Sequence, residues 1–124
     1  MFFYWCREKP DVIVDFIFEN GMLYIALINI GKAPACHVTV EFNREIRGVE
    51  GSKIISQMPL FRSLEFMPPQ KKIVTFIDTS ASYFQREQPS EIQSTITFKD
   101  RRGKSFVNRI NHNLDVYRDI GYIG

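Results

Sequence analysis

The sequence predicts an all-β domain, an antiparallel immunoglobulin-like β-sandwich of about seven or eight strands. Three observations carry this. Apolar residues recur with period two in one run after another, and no segment keeps a helical period over ten or more residues. Turn residues punctuate the runs about every 8–12 positions, the spacing of a sandwich. Aromatic residues make up 14% of the chain, 11 of them Phe, and such side chains suit pleated, half-buried surfaces.

The elements follow in order. In the first run, Asp11 to Phe18, Val12, Val14, Phe16 and Phe18 alternate with Ile13, Asp15 and Ile17. Asn20-Gly21 then marks a type I′ hairpin, because both central positions need positive φ. Leu23, Ile25 and Leu27 share one face of the second strand, Met22 to Ile30, so the first two strands are expected to pair. A loop with Pro34 leads to His37–Phe42, with Val38, Val40 and Phe42 inward and Thr39 and Glu41 toward water. The polar stretch 43–52 reads as a long turn, and Ile54 and Ile55 as the start of a short edge strand. Ser63 to Phe66 is a further short strand, closed by Pro68 and Pro69, which cannot donate to a ladder. Lys72 to Asp78 is a strong strand. Ser80 is placed to cap one helical turn through Tyr83. Glu91 to Phe98 alternates cleanly, Asp100 to Gly103 turns, and Lys104 to Ile110 returns with Phe106 and Ile110 on one face. The tail is apolar at Leu114, Val116, Tyr117, Ile120, Tyr122 and Ile123, too apolar for a free end.

At 124 residues the chain is one domain with room for a core. The expected organisation is an aromatic N-terminal arm, residues 1–10, and a single sandwich, residues 11–124, with its tail packed on it. The arm holds Phe2, Phe3, Tyr4 and Trp5, a candidate interface. Its six apolar residues are too few to span a bilayer and lack the flanks of a signal peptide, so no membrane span and a cytoplasmic location are expected. Cys6 and Cys36 form no metal or disulfide pattern, in keeping with a reducing compartment.

Net charge is +2, too small to argue for nucleic acid or an anionic membrane. Its distribution is uneven, with five basic and two acidic residues after position 100. Arg101, Arg102, Lys104 and Arg109 form a candidate anion-binding group, with Phe106 and Tyr117 near them in sequence. A hairpin tip is also where cations keep an edge soluble. Other chemistry is sparse. Cys36 and His37 are neighbours on a strand and point to opposite faces, so they read as a small buried Cys and a surface His rather than a dyad. His37, His112 and Cys6 match no metal spacing. Glu41 and Glu45 straddle a strand end without a cleft, and neither a phosphate loop nor a nucleophile elbow is present. No enzyme activity, cofactor or metal is expected.

One passage is familiar. Leu23, Ile25 and Leu27 lead to Asn29, Gly31 and Ala35, then Val38 and Val40; later come Ile96, Phe98, Asp100, Gly103 and Phe106. This order resembles the bacterial and archaeal Ig-like sandwich domains of the cell-adhesion-related (CARDB-like) type, and uncharacterised bacterial domains that share it. The likeness covers about residues 11–110. It departs at Met67, Pro68, Pro69 and Gln70, where such domains often carry Pro-Gly. Asn29 is expected to bond its own loop and Gly31 to take a positive φ. The resemblance implies an interaction or spacer module and no catalytic residues. The first functional expectation is therefore a non-enzymatic module that binds protein or itself, as a homodimer. Polyanion binding at the basic hairpin is the alternative, and a small-molecule binder or enzyme with a loop-built site is the second.

Overall fold

The computed structural model describes residues 8–118. The strands are β1 (Val12–Glu19), β2 (Met22–Asn29), β3 (Ala35–Phe42), β4 (Arg47–Gly48), β5 (Lys53–Ile54), β6 (Leu64–Met67), β7 (Lys72–Thr79), β8 (Glu91–Lys99) and β9 (Ser105–Asn113). Two short helices, α1 (Pro59–Arg62) and α2 (Ser80–Gln85), and two 3-10 turns complete the described residues. Three antiparallel strands, in the order β1-β2-β7, face four in the order β6-β3-β8-β9; β4 and β5 form a small ribbon. This is the expected all-β sandwich.

Period-two patterning explains the core. Val12, Val14 and Phe16 of β1 and Leu23, Ile25 and Leu27 of β2 meet Val38, Val40, Ile92, Ile96 and Phe98 from the opposite sheet, all buried. Asn20 and Gly21 take φ of 53° and 76°, the left-handed pair that the β1–β2 hairpin needs. In β7, a bulge opposite Leu23 and Tyr24 turns two consecutive residues, Ile77 and Asp78, into the interior.

Several local readings change. The stretch 43–52 is not simply a turn, because Ile46 within it is fully buried and β4 follows. Pro59 starts α1, a role proline suits because the first helical N–H needs no partner. Thr79, not Ser80, caps α2: its hydroxyl accepts from the Ser82 N–H at 3.2 Å. Tyr83 is buried and its hydroxyl donates to the Pro89 carbonyl at 2.6 Å, so it ties α2 to the approach of β8. The described part of the tail packs through Leu114, which is buried, and Tyr117, whose ring stacks on Phe18 and whose hydroxyl donates to the Phe16 carbonyl at 3.2 Å; Ile120, Tyr122 and Ile123 lie outside the described residues. Val116 is exposed.

Asn29 organises one end of the sandwich. Its side chain is buried, and its Oδ1 accepts from the N–H groups of Asp11 at 3.1 Å and Gly31 at 3.0 Å. Its Nδ2 donates to the carbonyls of Ala33 at 2.9 Å and Met67 at 3.1 Å. One amide thus joins the start of β1, the β2–β3 loop and the end of β6. Gly31 is needed, but not for a positive φ, which it does not adopt. A methyl group there would stand 2.5 Å from the Asp11 nitrogen and 2.7 Å from the Pro10 carbonyl carbon, and would strike the Lys9 carbonyl oxygen. The constraint is close approach of two backbones.

Gly31→Ala is expected to destabilise the fold by about 1–3 kcal/mol, as overpacking does. Asn29→Ala should cost at least as much, because it strands several buried backbone groups at about 1–3 kcal/mol each. Urea denaturation measures both, and wild-type midpoints would contradict this account of the loop.

Candidate functional site

Antiparallel connectivity gathers four separate segments at the Asn29 end. These are residues 8–11, the β2–β3 loop (30–34), the β6–β7 loop (68–71) and the β8–β9 turn (100–104). Between the first segment and the start of β9 lies an open groove of about 720 Å³, lined by Lys9, Pro10, Lys32, Phe106, Val107 and Asn108 among others. Asn108 fixes one wall: its Nδ2 donates to the Asp11 carboxylate and to the Val12 carbonyl, both at 2.8 Å. Phe106 stacks on Phe98 beneath, with ring centroids 5.5 Å apart.

The same topology sorts charge. The Asn29 end carries Lys9, Lys32, Lys71, Lys72, Lys99, Arg101, Arg102 and Lys104 against Glu8, Asp11 and Asp100. The opposite end carries Glu19, Glu45, Glu50, Asp78, Glu87, Glu91 and Asp115 against Arg44, Arg47, Lys53, Arg86 and Arg118. A chain of nearly balanced composition is therefore basic at one end and mildly acidic at the other. Sequence order shows only the C-terminal part of this, because Lys9, Lys32, Lys71 and Lys72 lie far from the hairpin along the chain.

Of the candidate anion-binding residues, Arg101 and Arg102 are exposed at the turn, and Lys104 holds its ammonium 5.5 Å from the centroid of the Phe106 ring. Asp100 shapes the turn by accepting from the Arg102 and Lys104 N–H groups, each at 2.9 Å. Arg109 does not join them; it stands on the outer face of β9 opposite Thr95. Tyr117 lies at the other end of the sandwich, against Phe18. The expected interleaving of cations with free aromatic rings thus does not form. Phe106 is half-buried, stacked below and covered by Lys104, a poor platform for a base. Phe2, Phe3, Tyr4 and Trp5 lie outside the described residues.

The two outer sheet faces differ. The four-stranded sheet presents Thr39, Glu41, Gln93, Thr95, Thr97, Arg109 and Asn111, an ordinary wet face, with Phe66 and Val107 exposed toward its edges. The three-stranded sheet presents Ile13, Ile17, Met22, Tyr24, Ala26, Ile28, Val74 and Phe76, interrupted by Asp15, Glu19 and Lys72. Met22, Val74 and Phe76 are 40%, 46% and 39% exposed, and Tyr24 meets Phe76 edge to face. The signal was present in the sequence as Ile13 and Ile17 in the first run and Met22, Tyr24, Ala26 and Ile28 in the second, apolar residues set between the core-facing ones.

The polar clusters are structural. Ser94 and His112 are 2.9 Å apart, a serine–histidine pair not expected from the sequence, but Ser94 is fully buried and offers no hydroxyl to a substrate. The His112 ring meets Phe16 edge to face, and burial lowers its pKa against the pull of Asp15. Cys36 is half-buried with a free thiol, not the fully buried residue expected, and His37 faces Glu65 at 3.5 Å. His37 sits at a bulge with φ of 51°. Glu45 pairs with Arg47 at 2.7 Å. Among the described residues no group of three His, Cys, Asp or Glu side chains is placed to hold a metal ion, and Cys6 lies outside them. No helix among them is long and apolar enough to cross a membrane.

Asp78 and Arg86 bind the opposite end together. The Asp78 carboxylate accepts from Arg86 at 2.6 Å, from the Glu50 N–H at 3.0 Å and from the Thr79 N–H at 2.8 Å. Arg86 also donates to the Arg47 carbonyl at 3.2 Å. Burial pushes the Asp78 pKa up, but the bonds from Arg86, Glu50, Thr79 and Ser82 together outweigh it and hold the carboxyl below its ordinary value. Its stabilisation is thus full above the unfolded value, about 3.9, and is lost as pH falls through the lower folded value. Arg86→Met should destabilise by about 3 kcal/mol at neutral pH, because it leaves a buried carboxylate without its counterion. Denaturation curves measured from neutral to strongly acidic pH should show the gap to wild type closing below about pH 4; a gap independent of pH would refute the pairing.

No curated protein matches this chain, and no solved structure does. Residues 6–118 match the family described as a domain of unknown function, DUF8453, and the chain belongs to that family.

Proposed function

We propose that this domain is a non-enzymatic protein-interaction module that associates with a second copy of itself through the outer face of the three-stranded sheet. The observation that carries the reading is the contrast between the two outer faces. A sheet with one wet face needs no partner, whereas Ile13, Ile17, Tyr24, Ile28, Val74 and Phe76 make a largely apolar surface on the other side, broken by Asp15, Glu19 and Lys72. The resemblance to CARDB-like adhesion domains, which serve as interaction or spacer modules, supports the same class.

A second copy fits because two flat sheets pack face to face at about −30°, and a two-fold axis covers both apolar faces at once. Area sets the strength. Three strands about 4.8 Å apart and about 26 Å long cover roughly 400 Å². A standard interface takes about 800 Å² per partner, so the face alone gives a weak dimer. Phe2, Phe3, Tyr4 and Trp5, at about 150–250 Å² each, supply the remainder in this reading. The edge of β7 is closed at its far end, where the Val49 N–H donates to the Ile77 carbonyl at 2.7 Å, which favours face packing over edge pairing.

Light scattering on a concentration series tests this. Wild type should approach twice the monomer mass, Phe76→Asp with Val74→Lys should stay monomeric and folded, and removal of residues 1–6 should raise the dissociation constant at least about tenfold. A wild-type chain that is monomeric at millimolar concentration would overturn the proposal.

A further inference from the structure

Among the described residues, the face proposed for self-association carries three charges, and sheet order sets them apart. Asp15 and Glu19 stand on β1, Lys72 stands on β7, and β2 lies between. The register places Lys72 in one row with Ile28 and Ile13. The cation therefore lies one row of side chains along the strand from Asp15, at the opposite margin of the sheet. Resting on the face-to-face reading, we infer that the two-fold axis of the dimer runs along the strands. Strand β1 of each copy then covers β7 of the other, and two symmetric ion pairs, each between Asp15 and Lys72 of the partner subunit, fix orientation and register. None of the three charges enters an ion pair among the described residues. Asp15 acts on His112, but burial lowers the pKa of that ring, so it brings no cation at neutral pH. Covering unpaired charges is costly unless the other copy supplies their counterions.

Symmetry leaves two arrangements. Sheets packed face to face within about 30° run their strands nearly parallel or nearly antiparallel. An axis along the strands exchanges β1 with β7 and keeps the rows. Asp15 then comes within one row, about 7 Å along the strand, of Lys72 of the partner subunit, a gap that the flexible four-carbon stem of lysine spans. The same axis sets Ile17 on Phe76 of the partner subunit and brings the two Tyr24 side chains together at the centre, so apolar residues meet apolar ones. An axis across the strands lays β1 on β1 instead. Four carboxylates then line one margin of the interface and both lysines stand at the other, and such like-charge juxtaposition is penalised. The parallel arrangement also sets the two basic ends side by side. The other cations of that end sit in the loops beyond the covered face or in the sheet behind it, where salt screens them.

Sedimentation equilibrium on charge variants tests this, with urea midpoints showing that each variant is folded. Asp15→Lys and Lys72→Glu should each weaken the dimer at least about tenfold, because each turns two attractions into two repulsions. An equimolar mixture of the two variants should form a dimer within about threefold of wild-type strength, because every opposed pair is again of unlike sign. Asp15→Asn keeps the shape of the side chain and makes the test independent of whether Asp15→Lys folds. It should weaken the wild-type dimer but tighten that of Lys72→Glu, a change of sign that follows only if the two charges meet. Glu19→Lys should change the dimer less than about threefold, whereas an axis across the strands would make it tighten the dimer. A dimer that ignores these substitutions, or a mixture no tighter than its components, would overturn the inference and leave the face-to-face reading standing. A wild-type chain that stays monomeric would overturn both.

Discussion

A single buried amide holds one end of this domain together. Where β2 stops, the chain must leave one sheet and enter the other, and buried backbone groups there need partners. The Asn29 side chain supplies two acceptor and two donor bonds, and its own backbone adds an N–H to the Lys71 carbonyl at 3.0 Å and a carbonyl to the Gln70 N–H at 2.8 Å. No apolar residue could replace it, and a charged one could not both donate and accept. Gly31 follows from the same junction, since the bonded loop brings its Cα against residues 9–11.

From that junction follows the placement of charge. Three segments that are distant in sequence meet around one amide, the β8–β9 turn lies at the same end, and each of the four brings lysine or arginine. The other end is held differently, by the buried Asp78–Arg86 pair and by Val49 and Glu50, whose φ values of 51° and 56° are rare for such residues. The Ile77 carbonyl and the Asp78 carboxylate accept the N–H groups of those two residues and compensate the strain. The two ends thus differ in chemistry as well as in sign. The long faces differ too, one set with threonines and one with isoleucines and aromatics.

Much of the fold was legible because period-two runs admit few other readings, and because Asn20-Gly21 can hardly be anything but a hairpin tip. Asn29 was legible as structural, but the reason for Gly31 was not. Positive φ is a local property, whereas contact with Lys9 and Pro10 is visible only once the loop has closed. Ile46 escaped notice because it stands alone among polar residues, and a lone apolar residue has no period. The apolar sheet face was present in Ile13, Ile17, Tyr24, Val74 and Phe76, but only the sheet order shows that these side chains share a side. The groove was least legible, because Lys9 and Lys32 join Phe106 only through the sandwich.

The most direct measurement on the Asn29 junction is native-state hydrogen exchange at the Asp11 and Gly31 amides. Both lie outside the strands and would exchange readily in an ordinary loop. If the buried amide binds the junction into the core, both exchange only by global unfolding, with the same opening free energy as amides in the centre of β2. Exchange of Asp11 and Gly31 through local opening, while β2 stays closed, would contradict the account.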